Sequence, residues 1–264
     1  MRLTYKAGQT IGARDEQQDD YCLRRFVLPG DAETGVWTHA VVLADGMGGH
    51  NGGREASKTA VSSFVQALES VVSFERPTLR DCVDSANWAL KERVKADQTL
   101  RGMGTTLIGA VIRQDELNWI SIGDSLLLLL DGENLRRVNR DHSMAYQLDQ
   151  MARMGEITPE AAQRDPRRHA LLDALRGQDI QHIDDRREPM PLRVGDRFLI
   201  ASDGIQILPD EEIYRVLVSH RDDDQAVVDE ILERVDQAGD LHQDNATCVV
   251  ISVHEDLPDE PIDS

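Results

Sequence analysis

Cysteine is scarce in this chain: Cys22, Cys82 and Cys248 are all it has. They are odd in number and show no CxxC spacing. That excludes a disulfide framework and a thiolate zinc site, and it suits a reducing compartment. Positive charge is also short. Lys and Arg number 29 against 48 Asp and Glu, for a formal net charge of −19. Nucleic acid and anionic membrane surfaces both reward the opposite balance, so neither is expected as a partner. Long apolar runs are missing too. "LLLLL" at Leu126–Leu130 is far too short to span a bilayer. The opening "MRLTYKAGQTIGARDEQQDD" has no apolar segment of the signal-peptide kind. A cytoplasmic protein is expected.

What remains is a patterned chain of 264 residues, long enough to bury a real core. We read 1–254 as a single domain and "EDLPDEPIDS", 255–264, as a disordered acidic tail. Strands are predicted in "VWTHAVVLADG", "TTLIGAVIR", "LNWISIGD", "LLLLLDG", "DRFLIASDG" and "NATCVVISV". Apolar residues at helical spacing predict helices over 54–74, 79–100, 144–154, 211–220 and 223–238. Strands in succession, two adjacent helices, more strands and more helices do not make the alternation of a parallel fold. The order reads as α+β, with antiparallel sheets packed on one another and flanked by helices.

Acids recur where these strands end. Asp45 follows "VVLA", Asp124 follows "WISIG", Asp203 follows "FLIAS", and Asp244 opens "NATCVVISV"; Asp19 and Asp20 precede "YCLRRFVL". Any one alone is an Asx turn or a helix cap. Adjacent strands would bring several together, and such a cluster needs a cation to stay ionised. Its donors are all oxygen, which selects Mg²⁺ or Mn²⁺ over zinc. His50, His142, His169 and His242 are scattered, with no zinc spacing. After Asp45 the chain is expected to bend so that the Gly46 carbonyl can reach a metal, and the glycines of "DGMGGHNGG" permit both the bend and the close approach of backbone. They are not a nucleotide loop, since neither GK[ST] nor GxGxxG follows. Arg14, just ahead of Asp19, is a candidate for holding a phosphate.

These elements, in order, resemble the metal-dependent protein phosphatases of the 2C type. "GARDEQQDDY" is similar to their R-x-x-N-[EQ]-D opening and "VVLADGMGGHNGGREAS" to the bacterial form of their first DG element. "GMGTTL", "SIGDS", "RDHS", "GDRFLIASDGI" and "QDNATCVVI" match the elements that follow. The resemblance implies a central β-sandwich flanked by helices, with two metal ions, Mn²⁺ or Mg²⁺, in a cleft at one edge. It implies that Asp45 bridges both ions, that Gly46 offers its carbonyl, and that Asp203 and Asp244 bind one of them. Asp124, with Asp203, corresponds to the site of a third, weaker ion in bacterial members. Asp19 corresponds to the carboxylate that orients the waters around the ions, and Arg14 to the phosphate-binding arginine. The stretch 143–187 corresponds to the variable flap beside the cleft, where substrate choice is set.

The implied activity is hydrolysis of phosphoserine and phosphothreonine in proteins by a metal-activated water, opposing a serine/threonine kinase. Hydrolysis of small phosphate esters at the same site is left open. A pseudophosphatase that binds phosphoprotein without turnover is the rival, and the intact acids speak against it. No catalytic-cysteine signature is present, which argues against a thiol mechanism. Three departures stand out. Gln17 and Gln18 replace the common Asn and Glu, so direct carboxylate ligation at Gln18 is lost. Met47 stands where many eukaryotic members carry a histidine acid, and His50 does not align with it. Leu126 replaces the arginine of G-D-S-R, which puts local packing in question.

Overall fold

The computed structural model describes residues 1–48, 50–74, 78–168, 170–186 and 188–255, with the backbone alone of His50 and Asn51. The His50 side chain, His169 and, beyond Glu255, the acidic tail lie outside the described residues. In chain order the strands and helices begin with β1 (Arg2–Thr10), β2 (Asp19–Val27), β3 (Trp37–Met47), α1 (His50–Glu69) and α2 (Thr78–Ala96). Five strands follow: β4 (Gly104–Thr105), β5 (Leu107–Arg113), β6 (Glu116–Ile122), β7 (Leu126–Asp131) and β8 (Asn134–Arg137). Then come α3 (Met144–Arg153), α4 (Pro159–Arg164), β9 (Asp184–Asp185), β10 (Met190–Pro191) and β11 (Arg197–Ala201). The series closes with α5 (Asp210–Ser219), α6 (Asp224–Gln237) and β12 (Ala246–His254).

Two antiparallel sheets stack. One runs β1-β12-β11-β7-β8, and the other β10-β6-β5-β3-β2, with β4 on the end of β3 and β9 on β6. The expected sandwich is therefore present. It explains the uniformly apolar strands, because each sheet is covered on both faces. Leu127 and Leu129 point between the sheets, where they meet Val41, Leu43, Trp119, Phe198 and Val249. Leu126, Leu128 and Leu130 face the other way, onto Val216, Val227 and Ile231 of α5 and α6. On the second sheet Ala40, Val42 and Ala44 face Phe64, Leu68 and Val83 of α1 and α2. The "LLLLL" run is a strand buried on both sides.

Helix α1 begins four residues before the predicted start and ends at Glu69 rather than 74. α3 starts where predicted, because the Ser143 hydroxyl caps it, accepting from Tyr146 N at 3.2 Å. β1 and β2 had not been expected as strands. β3 also departs from expectation: it does not break at Asp45 but runs on to Met47, pairing Gly46 with Thr105 and Met47 with Gly104.

The connections leave the acids at one edge. Asp19 begins β2 directly opposite Asp45 near the end of β3. Asp124 lies in the turn from β6 to β7, Asp203 follows β11, and Asp244 precedes β12. β1 ends beside the start of β12, with Thr10 paired to Ala246, which delivers the loop carrying Arg14 to the same edge. Among the described residues no helix is long and apolar enough to cross a membrane.

Candidate active site

The strand ends open on a cavity of about 790 Å³. Arg14, Gln18, Asp45, Gly46, Asp124, Asp203 and Asp244 all line it, with Asp15 and Glu16 beside them. Of the site residues that the resemblance implies, Asp19 is the one that does not line the wall. It lies buried behind Asp45, and strand alternation turns its neighbour Asp20 to the opposite face.

The backbone of Asp45 is fixed from β5 and its approach. Its N–H donates to Thr106 Oγ1 at 2.9 Å, while its carbonyl accepts from Thr106 N at 2.9 Å and Thr105 Oγ1 at 2.8 Å. The "GTT" triplet is thus a clamp on this aspartate. Asn245 does the same for the Arg14 loop. Its amide nitrogen donates to the carbonyls of Ile11, at 2.8 Å, and Glu16, at 3.0 Å, and its Oδ1 accepts from Gln18 N at 2.8 Å. Gln17 is structural as well, accepting from Asp19 N at 3.0 Å and donating to Thr10 O at 3.1 Å.

The bend expected after Asp45 is absent, while the close approach of backbone is present. Gly46 has a φ outside the left-handed region, and the strand does not bend there. What it supplies is room: a Cβ would strike the backbone carbonyls of Gly53 and Gln18. Gly204, in the second DG element, is pressed in the same way against the Asn245 carbonyl. Gly48, with φ +124°, is the position where conformational freedom is needed.

Asp19 Oδ2 accepts from Ser202 Oγ and Thr247 Oγ1, each at 2.7 Å, which ties β2 to β11 and β12 across the two sheets. Its Oδ1 is buried without a hydrogen-bond partner among the described residues. Burial, opposed by these two hydroxyls and reinforced by Asp203 and Asp244, pushes its carboxyl up to about 6. Asp124 is pushed up to about 7, by burial first and then by Asp203 and Asp141. Asp45 is raised well above the usual carboxylate range, by burial first and then by the four acids around it, Asp19, Asp203, Asp124 and Asp244. Each shift has one cause in common: negative charge held out of water beside negative charge.

Arg14 stands on the cleft wall, bonded to an acid. Its Nη2 donates to Asp244 Oδ2 at 2.7 Å, so the guanidinium sits on one of the acids assigned to a metal. Among the described residues no three acidic, histidine or thiol side chains stand close enough around one point to hold an ion. The carboxylates line a common cleft without closing on a centre. They fit a hard divalent cation in kind and in place: oxygen donors throughout, an unpartnered buried oxygen on Asp19, and mutual repulsion that a cation relieves.

A family model, Protein phosphatase 2C, matches residues 9–246. The chain belongs to the protein phosphatase 2C family. The serine/threonine phosphatase stp of Listeria monocytogenes is 34% identical over 187 residues, 69% of this chain and 72% of that protein. The protein phosphatase PhpP of Streptococcus pneumoniae is 30% identical over 222 residues, 82% of this chain and 86% of that protein. Among solved structures, the catalytic domain of the serine/threonine protein phosphatase PstP in complex with two manganese ions matches with a TM-score of 0.76. It is 26% identical and is covered to 99%, against 96% of this chain.

This phosphatase keeps its thiols out of reach of the cleft chemistry. Cys82 and Cys248 are buried, and burial pushes both up to about 12. Leu126, the departure from G-D-S-R, is buried in the layer beneath α5 and α6. An arginine still serves that turn, from β8. Arg137 Nη2 donates to the carbonyls of Asp124, at 2.7 Å, and Ser125, at 3.0 Å, and Nη1 reaches Asp141 at 2.7 Å. Nothing in "NLRRV" announced that role. The sequence reading also missed Arg176, which lines the cleft.

Proposed function

We propose that this phosphatase is a Mn²⁺- or Mg²⁺-dependent phosphoserine and phosphothreonine protein phosphatase whose ions are held by Asp45, Gly46, Asp124, Asp203 and Asp244. One observation carries the site assignment. Acids from separate stretches of chain reach the same edge of two stacked sheets, and Asp45 there is raised by all the others. Ions bound in the cleft supply an activated water and counter the charge of the phosphoryl oxygens.

The chain's own residues do the remaining work. Thr105 and Thr106 hold the Asp45 backbone, so its carboxylate is aimed before any ligand arrives. Asp19, locked by Ser202 and Thr247, keeps Oδ1 towards the cluster as an acceptor that orients water. Arg14, now bonded to Asp244 on the cleft wall, is the group that would take the substrate phosphate. Ala170, Leu171 and Arg176 bring the flap, 143–187, to the cleft wall, where it contacts the phosphoprotein. The substrate is a protein phosphorylated by a serine/threonine kinase. The unpaired thiols suit a cytoplasmic setting.

Hydrolysis of p-nitrophenyl phosphate and of a phosphothreonine peptide tests this, with Mn²⁺, with Mg²⁺ and with EDTA. The expected result is metal-dependent turnover that falls by more than about 100-fold in Asp203→Ala. No turnover by folded protein with either metal would overturn the reading.

A further inference from the structure

Met47 leaves this phosphatase without a histidine at that position, and a guanidinium occupies the neighbourhood instead. Arg176 Nη2 lies 3.4 Å from Met47 Sδ. Its backbone is held on both sides. Leu175 is fully buried and exchanges hydrogen bonds with Thr105, at 3.0 and 2.9 Å, while Gly177 N donates to Asn87 Oδ1 at 2.8 Å. The aliphatic stem of Arg176 lies across Gly104, where a Cβ would come within 2.7 Å of its Cγ. Gly104 is the partner of Met47 in the β3–β4 pair. A bare backbone at 104 is what lets this arginine lie over β4 and reach the cleft.

Position and charge both give it meaning. Met47 is two residues beyond Asp45 on one strand, so the two side chains share a face about 7 Å apart. The wall carries Asp15, Glu16, Asp45, Asp124, Asp203 and Asp244 against two cations, Arg14 and Arg176. Arg14 is bonded to Asp244. Among the described residues no carboxylate pairs with Arg176, which is exposed to the cleft.

Resting on the phosphatase reading, we infer that Arg176 is a second phosphate-binding arginine of this cleft. Its guanidinium takes phosphoryl oxygens from the β3–β4 side, and Arg14 takes them from the β12 side. It does not replace the missing acid, because a guanidinium keeps its proton at any working pH. It binds and neutralises.

Arg176→Gln and Arg176→Lys test the assignment through KM, kcat and competitive inhibition by inorganic phosphate. A second readout, independent of turnover, is the rise in melting temperature that inorganic phosphate gives the Mn²⁺-loaded protein. In Arg176→Gln, KM for p-nitrophenyl phosphate and for the phosphopeptide should rise together about tenfold, with the phosphate inhibition constant, at little cost in kcat. The thermal response to phosphate should shrink, the melting temperature without phosphate should hold, and the lysine variant should recover part of the loss. Unchanged KM for p-nitrophenyl phosphate and unchanged phosphate inhibition would overturn the proposal and leave the phosphatase reading standing. A rise confined to the peptide KM overturns it as well, since the arginine would then read the peptide. Should the wild type turn over neither substrate, the phosphatase reading fails, and the thermal response to phosphate in the two proteins decides Arg176 by itself.

Discussion

Asp19 and Asp45 face each other across β2 and β3, and burial raises both carboxyls. In a sheet, partners of that kind have Cβ atoms about 5 Å apart, close enough for each carboxylate to oppose ionisation of the other. The pair persists because Ser202 and Thr247 grip one oxygen of Asp19. Asp19→Asn keeps an acceptor for those hydroxyls and removes the charge. We expect metal affinity or turnover to fall about 10- to 100-fold, while metal-free protein is at least as heat-stable as wild type. A Mn²⁺ titration of turnover, run beside a melting curve, checks both halves. An unchanged midpoint and rate would remove Asp19 from the site. At this scale the sequence was informative about which acids gather at one edge and blind to what they touch. "ARDEQQDDY" offers Asp19 and Asp20 equally, and only the pairing register separates them. The Arg14–Asp244 bridge spans 230 residues, and no local pattern could announce it.

Among the elements, legibility followed burial. β3, β5, β6, β7, β11 and β12 have apolar faces on both sides and read as strands at once. β1 and β2 lie at sheet edges, and most of their residues are only half-buried. Their charged and polar side chains broke the pattern that would have marked them. The DG elements were legible as places where backbone comes close, and the bend expected at the first of them is absent because β3 runs on to pair with β4. That close approach is testable. In Gly46→Ala the new methyl meets the carbonyls of Gly53 and Gln18, which are backbone and cannot swing aside. The expected loss is about 1–3 kcal/mol of stability, read by denaturant unfolding, together with reduced turnover. A variant as stable and as active as wild type would show that β3 and the start of α1 are not packed as closely as described.

For the molecule as a whole, two stacked sheets and the helical layers on them leave a cleft edge that concentrates negative charge, in a chain of net charge −19. Without a cation the folded state binds protons more tightly there than the unfolded chain does. Asp19 titrates at about 6 and Asp124 at about 7, while in the unfolded chain an aspartate titrates near about 4. Stability falls with rising pH wherever the native state holds the extra protons. Metal-free protein should therefore lose melting temperature from about pH 4 through 7, and Asp45, raised well above the usual carboxylate range, carries the fall further. The acids with lowered values, Asp165, Asp149, Asp97 and Glu230, act in the opposite sense, and their stabilisation is lost below that window. A bound divalent ion takes the place of the protons, so the stabilisation by Mn²⁺ should grow from pH 5 to pH 8 and flatten the profile. Melting curves at four pH values, with EDTA and with Mn²⁺, carry the test. A metal-free profile that is level or rising over that range, or a Mn²⁺ increment independent of pH, would mean that these carboxylates do not share a cation.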